Sequence, residues 1–276
     1  MTTTPEMGET ILAAGIRTNI HDTGTDTGGG TVLLIHGSGP GVSAWANWRL
    51  TIPALEANFR VVAPDIAGFG YTERGMVEYS LDTWTAHVVG VLDTLGIDSA
   101  HVVGNSFGGS LALSLAIRHA DRVRRLGLMG AVGLPFPLTP GLDAVWGYEP
   151  SVEAMADLLR IFTATPADGI DELARLRYQA SIRPGVQEAY ARMFPAPRQR
   201  WVDALAHADS DVSAISAPTL IVHGREDRVI PLATSLRLFE LIRDAQLHVF
   251  GNCGHWTQIE RAAEFNRLLR DFLLDQ

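Results

Sequence analysis

The chain has 276 residues, 46% hydrophobic and 19% charged, enough for one large buried core and unlike a disordered or fibrous protein. Asp and Glu outnumber Lys and Arg by 31 to 22, a formal charge of −9 with no local basic tract, which disfavours nucleic acid and anionic membranes as partners. A lone cysteine, Cys253, rules out an intrachain disulfide, and neither a secretory leader nor a membrane-length apolar run is visible, so a cytoplasmic location is expected.

In chain order, residues 9–21 read as edge strands and lead into a Gly-rich turn over 23–30. Apolar runs then fall at 31–36, 60–63, 101–104, 125–129, 219–223 and 246–250. They are rich in Val, Ile and Leu without alternation, as strands buried on both faces of a parallel sheet require. Helical patterns lie between them at 81–95 (closing on Gly96), 107–119 and 257–274. This alternation predicts an α/β protein, a mostly parallel central sheet flanked by helices. The strand rhythm stops between about 134 and 213, where helical patterns at 152–162, 170–180, 186–194 and 199–208 are separated by prolines. The expected organisation is a core of residues 1–133 and 214–276 with an inserted helical cap, or lid, at 134–213.

The chemistry-bearing motif is Gly104-Asn105-Ser106-Phe107-Gly108, directly after a predicted strand and directly before a predicted helix. A serine on such a sharp bend is a nucleophile elbow, and the helix behind it aims N–H groups at a developing oxyanion. A serine hydroxyl needs a base. Of the nine histidines, His255 sits in a loop between the last predicted strand and the last helix, where it can reach the sheet's C-terminal edge. His36 and His223 end strands and read as structural, and the other six lack such context. The carboxylate that steadies the imidazole is Asp227, in the loop after the strand at 219–223, with the adjacent Glu226 as the alternative; Asp65 precedes the serine and reads as structural. The order Ser, Asp, His is that of the α/β-hydrolase fold. The His36-Gly-Ser-Gly39 loop follows a strand, so the backbone N–H groups of Ser38 and Phe107 are the expected oxyanion hole. No metal-spaced cluster and no nucleotide loop is found, and no metal or cofactor is expected.

Several stretches carry a resemblance: His36-Gly-Ser-Gly-Pro-Gly-Val-Ser-Ala-Trp-Ala-Asn47, Gly104-Asn-Ser-Phe-Gly-Gly109, Gly141-Leu-Asp-Ala-Val-Trp-Gly147, Ser181-Ile-Arg-Pro184, Phe194-Pro-Ala-Pro-Arg198, Gly224-Arg-Glu-Asp-Arg228 and Gly254-His-Trp256. With these, the sequence resembles the meta-cleavage product hydrolases, the carbon–carbon bond hydrolases of aromatic degradation, over nearly its whole length. It is most similar to the branch acting on products of monocyclic aromatics. The resemblance implies an anionic small-molecule substrate, a 2-hydroxy-6-oxo-dienoate, hydrolysed to 2-hydroxypenta-2,4-dienoate and a small acid. It implies that Arg183 takes the carboxylate, helped by Asn47, Asn105, Trp256 and the Gly39 N–H, and that Val132, Leu142, Trp146 and Val229 line the distal pocket. It allows a homodimer or higher homo-oligomer. A general carboxylesterase or lactonase would share Ser106, Asp227 and His255 but have no use for Arg183 and the two asparagines. A non-catalytic ligand receptor on the same fold would have no need of the three together.

Overall fold

The computed structural model describes residues 4–75, 78–165 and 169–275. Its strands are β1 (Glu9–Ala13), β2 (Ile16–Thr23), β3 (Thr31–Ile35), β4 (Arg60–Pro64), β5 (Ala100–Asn105), β6 (Val123–Met129), β7 (Thr219–Gly224) and β8 (Ala245–Phe250). They form one eight-stranded sheet in the order β1-β2-β4-β3-β5-β6-β7-β8. The β1–β2 and β2–β4 pairs are antiparallel, and from β4 to β8 every pair is parallel. The Val/Ile/Leu runs account for this, because β3, β5 and β7 are buried at every position and so need cover on both faces.

That cover is helical. The core helices are α1 (Ala44–Trp48), α2 (Ile52–Leu55), α3 (Leu81–Thr94) and α4 (Phe107–Arg118). Leu33 and Ile35 of β3 point into a cluster with Val88 of α3 and Leu111 of α4, while Val32 and Leu34 point to the other face, against Trp48 of α1. Ten of the twelve α4 residues are buried, which explains an apolar pattern running round the whole helix.

Between β6 and β7 the chain adds α5 (Pro140–Trp146), α6 (Val152–Phe162), α7 (Ile170–Ser181), α8 (Val186–Met193), α9 (Gln199–Ala204) and α10 (Asp209–Ser213), with no strand among the described residues. The chain closes with α11 (Leu232–Leu241), α12 (Thr257–Glu260) and α13 (Ala262–Leu274). Phe265 and Leu269 of α13 join Trp48 on the second face of the sheet. No helix among the described residues is long and apolar enough to cross a membrane.

Two predicted helices are broken by tertiary contacts that periodicity does not register. The helix expected over 257–274 kinks at Arg261 (φ −125°, ψ 38°), whose guanidinium bonds to the Gly251 and Asn252 carbonyls. The helix expected over 199–208 stops at Ala204, since the His207 N–H is taken by the Gly133 carbonyl at 2.8 Å, and α10 begins at Asp209.

Candidate active site

The C-terminal ends of the parallel strands meet α5, α6 and α7 around one cavity. Ser106 connects β5 to α4 in a left-handed conformation, φ 54° and ψ −117°. Such backbone is strained for a residue with a Cβ and persists only where the surroundings hold it. Here the Ser106 N–H donates to the Met129 carbonyl at 2.9 Å, and its own carbonyl accepts from Val132 at 3.0 Å. Close approach requires the flanking glycines. A Cβ on Gly104 would lie 2.2 Å from the Gly108 carbonyl oxygen, and one on Gly108 would lie 2.4 Å from that of Ile35.

His255 and Ser106 line the same cavity. The imidazole Nδ1 of His255 donates to Asp227 Oδ2 at 2.7 Å, which fixes the tautomer with Nε2 unprotonated. Asp227 is held in turn, with Oδ1 accepting from the Val229 and Ile230 N–H groups at 2.7 and 2.9 Å. Burial alone would raise its pKa, but the charge and hydrogen bond of His255, then His223 and the Ile230 N–H, outweigh it and hold the carboxyl below its ordinary value. His223 Nε2 lies 3.4 Å from the same carboxylate, and burial is the largest cause keeping its own pKa low. Glu226 has another task. Its carboxylate accepts from the Cys253 N–H at 3.0 Å and pairs with Arg225, which ties down the loop that carries His255.

Opposite the elbow, Gly37, Ser38 and Gly39 line the cavity, and neither the Ser38 nor the Phe107 N–H has a protein acceptor among the described residues. Asn47 accepts the Gly37 N–H at 3.1 Å, while its Nδ2 is buried without a protein partner. Asn105 and Trp256 also line the cavity, and Trp256 stacks on Phe162 at 4.7 Å.

The arginine is the main correction. Arg183 is not on the cavity. It follows the end of α7, stacks 3.8 Å over the Tyr71 ring, and donates to the Ala180 and Gly70 carbonyls. The cavity is lined instead by Arg177 of α7 and Arg49. Arg177 donates to Glu6 Oε1 at 3.0 Å and to the Gly41 carbonyl. Burial is the largest cause lowering both arginine pKa values, Arg177 adds to the effect on Arg49, and Glu6 opposes it in each case. Two desolvated guanidinium groups with one nearby carboxylate make a cavity wall that favours a further anion. Arg177 had a detectable signal, because it sits three residues from Ala174 and four from Ser181, both buried on one face of α7.

Leu142 and Val229 line the cavity, joined by Val145, Met155, Leu159 and Phe162, which the sequence reading missed. Val132 and Trp146 are not part of that lining. The Val132 backbone is bonded to Ser106, and the Trp146 indole turns to Ser38. Gln258, also missed, lines the polar side with a buried, unpartnered Oε1.

A strained serine after a central strand, an imidazole lining the same cavity and a buried carboxylate behind the imidazole define a serine hydrolase on an α/β sheet. The α/β hydrolase fold family matches residues 30–262. A 2-hydroxymuconate semialdehyde hydrolase of Pseudomonas sp. strain CF600 is 60% identical over 272 residues, covering 98% of this chain and 95% of that one. A 2-hydroxy-6-oxo-2,4-heptadienoate hydrolase of Pseudomonas putida is 59% identical, covering 97% and 96%. Among solved structures, a serine-to-alanine mutant of the meta-cleavage product hydrolase from Pseudomonas fluorescens IP01, complexed with acetates, superposes with a TM-score of 0.95 at 58% identity, covering 98% of each chain. The chain belongs to the α/β-hydrolase fold family and, within it, to the meta-cleavage product hydrolases.

Proposed function

We propose that this enzyme hydrolyses the C5–C6 bond of a 2-hydroxy-6-oxo-hexa- or hepta-2,4-dienoate, with Ser106 as nucleophile, His255 as base and Asp227 as the group that steadies it. The observation that carries the reading is one cavity holding Ser106 and the Asp227-bound His255 together with two partly buried arginines and an apolar wall. The relatives named for such substrates match over nearly the full chain.

The substrate carboxylate faces Arg177 and Arg49, and its 2-oxygen the side occupied by Asn47, Asn105, Trp256 and the Gly39 N–H. The 2-hydroxyl proton leaves and C5 takes a proton, which gives a 2,6-dioxo-3-enoate with a saturated C5. Ser106 Oγ, deprotonated by His255 Nε2, attacks C6, and the Ser38 and Phe107 N–H groups meet the charge on its oxygen. The C5–C6 bond breaks, its electron pair passes through C5 to C2 onto the 2-oxygen, and protonation there gives 2-hydroxypenta-2,4-dienoate. Water activated by His255 then releases the small acid from Ser106. The cationic wall formed by Arg177 and Arg49 separates this reading from a general carboxylesterase, which would have no use for it.

Residues 134–213 act as a cap over this cavity, a reading supported by the lining side chains contributed by α5, α6 and α7. The enzyme is cytoplasmic, consistent with its single, buried, free cysteine. It is a homo-oligomer, for which β8 at the sheet edge offers an unpaired strand. Cell fractionation and light scattering test these two points. The function itself is tested by comparing kcat/KM for yellow ring-fission products bearing hydrogen or methyl on C6 with that for a neutral aryl ester. A preference for the ester by tenfold or more would defeat it.

A further inference from the structure

The arginines of the cavity wall have a counter-charge behind them, and it comes from the N-terminal segment. The Arg177 guanidinium donates to Glu6 Oε1 at 3.0 Å, and the buried Ser43 hydroxyl donates to Glu6 Oε2 at 2.8 Å. Side-chain exposure is 14% for Glu6 and 12% for Arg177, so the pair is largely shielded from solvent. The backbone on either side of Glu6 is built to hold it there. Its carbonyl accepts from Asn19 Nδ2 at 3.1 Å, and the Gly8 N–H donates to Asn19 Oδ1 at 2.9 Å. Asn19, on β2, is pinned in turn by a bond from Nδ2 to Asp65 at 2.9 Å. A Cβ on Gly8 would fall 2.0 Å from the Ile20 carbonyl oxygen, so glycine is what lets the segment lie this close to the sheet.

Glu6 stands behind the wall and not on it. The cavity lining includes Arg177 and Arg49 but no Asp or Glu. Arg49 donates to the Ala46 carbonyl at 2.6 Å, and Glu6 is the carboxylate whose charge acts on both arginines. The three groups together leave the wall one net positive charge, which matches one ligand carboxylate. With Glu6 neutral, the same wall would carry two positive charges and hold any monoanion, substrate or product, more tightly.

We propose that Glu6 is a positioning residue that sets the charge of the anion wall, acting through Arg177 and Arg49 to moderate the grip on a monocarboxylate so that anionic substrate and anionic product both exchange. The proposal rests on the placement of the substrate carboxylate at these two arginines. The test uses pentanoate, a small monocarboxylate, as a competitive inhibitor of neutral ester hydrolysis, with pentanamide as its uncharged counterpart. Removing a unit charge from a partly screened site of this kind changes an anion's affinity by about 5- to 20-fold. Glu6→Gln keeps the shape and an acceptor oxygen, so pentanoate should bind tighter by about that factor, whereas pentanamide should shift by less than about twofold. KM for the dienoate should fall with the pentanoate constant, and its kcat should stay within about threefold. Charge and posture are separated by the Arg177→Gln background. There Glu6 has no Arg177 to position, yet adding Glu6→Gln should still restore pentanoate affinity by about three- to tenfold, because Arg49 is then left without an opposing charge.

Unchanged or weaker pentanoate binding in folded Glu6→Gln would overturn the proposal. So would an equal gain for pentanamide, which would mean a change of shape and not of charge. No recovery in the double variant would reduce Glu6 to a brace for Arg177 and would also overturn it, as would a wild type that pentanoate inhibits no better than pentanamide. If Glu6→Gln alone does not fold, the comparison of Arg177→Gln with Arg177→Gln/Glu6→Gln decides, since the double variant keeps the wall's net charge at its wild-type value. Should the wild type cleave the ester but no ring-fission product, the substrate assignment fails, and the pentanoate data still decide the role of Glu6.

Discussion

The two walls of the cavity are built on different principles. On the core wall, each functional group sits on a backbone turn at the end of a parallel strand: Ser106 after β5, Asp227 after β7, His255 after β8 and Ser38 after β3. Neighbouring main chain fixes these turns, through the Met129 carbonyl on Ser106 and the paired Val229 and Ile230 N–H groups on Asp227. On the opposite wall, that of the proposed cap, Leu142, Met155, Leu159 and Arg177 come from three helices whose seats depend on packing between elements. On the proposed roles, reaction type is set by short-range geometry, and substrate choice by long-range packing. Substitutions in the core wall should lower turnover of every substrate alike, whereas those in the cap wall should act selectively.

The largest test of that contrast is Ser106→Ala. It should reduce kcat by about 10⁴-fold or more on dienoates and esters alike, because triad members act as a unit. Dienoate binding, followed by the shift of its visible band, should stay within a few-fold. Asp227→Asn should approach the same loss, since the imidazole tautomer is then no longer enforced. A Ser106→Ala enzyme that turned over dienoates normally would remove the core wall from the chemistry.

The arginines come next. Charge-assisted hydrogen bonds to a buried carboxylate contribute about 1.5–3 kcal/mol, so Arg177→Gln should lower kcat/KM for the dienoate by about 10- to 150-fold. A neutral ester should lose no more than about threefold. Arg183→Gln, outside the cavity, should stay within about threefold on both. The reverse ranking would return the carboxylate to Arg183 and overturn the placement of the anion.

These two arginines also mark where the sequence stops being readable. The elbow, the Asp227 loop and the His255 loop are legible because each is a short motif at a strand end, and strand ends are visible as apolar runs. Choosing between Asp227 and Glu226 was not local, since both carboxylates are used and only three-dimensional contact shows which one meets the imidazole. Arg177 and Arg183 are six residues apart, the first in the last turns of α7 and the second just beyond its end. Motif position favours Arg183, whereas Arg177 lies beside the buried face of α7 and lines the cavity. Arg49 and Gln258 carry no pattern of their own, and they reach the cavity through the packing of short helices that periodicity does not resolve.

The rigidity of the core wall has a cost in acid. His36 and His87 each accept a backbone N–H on one ring nitrogen, from Ile66 at 2.9 Å and Ala67 at 3.3 Å, and burial pushes both pKa values down to about 4. In the unfolded chain both rings protonate as pH falls through about 6.5, whereas folded they stay neutral until about 4. These two rings thus make the unfolded state bind more protons in that window and lower stability as pH falls through it; His101, also pushed down to about 4 by burial, adds to the effect, and Asp65, pushed up to about 6 by burial, opposes it. The pair contributes at most about 2.7 kcal/mol per pH unit. Urea midpoints at pH 7, 6 and 5 measure the slope. A flat profile would show that these rings are not held neutral in the folded core.

The smallest effect, and the most selective, belongs to the apolar side of the cap wall. Leu142 is almost fully buried and lines the cavity from α5, whose N-terminus is capped by the Thr139 hydroxyl on the Leu142 N–H at 3.0 Å. Leu142→Ala leaves that backbone bond intact and opens space beside the C6 substituent. One methylene is worth about 1–3 kcal/mol in such a pocket, so the kcat/KM ratio of an isopropyl to a methyl ketone should rise about five- to tenfold. Much of the gain should come from faster turnover of the larger substrate. Because Leu142 bears no polar group, a uniform drop on both ketones would mean that the substitution had disturbed α5 and, through neighbouring Trp146, the Ser38 loop. The ratio therefore separates a pocket that measures the substrate from a cap that only holds the core wall in place.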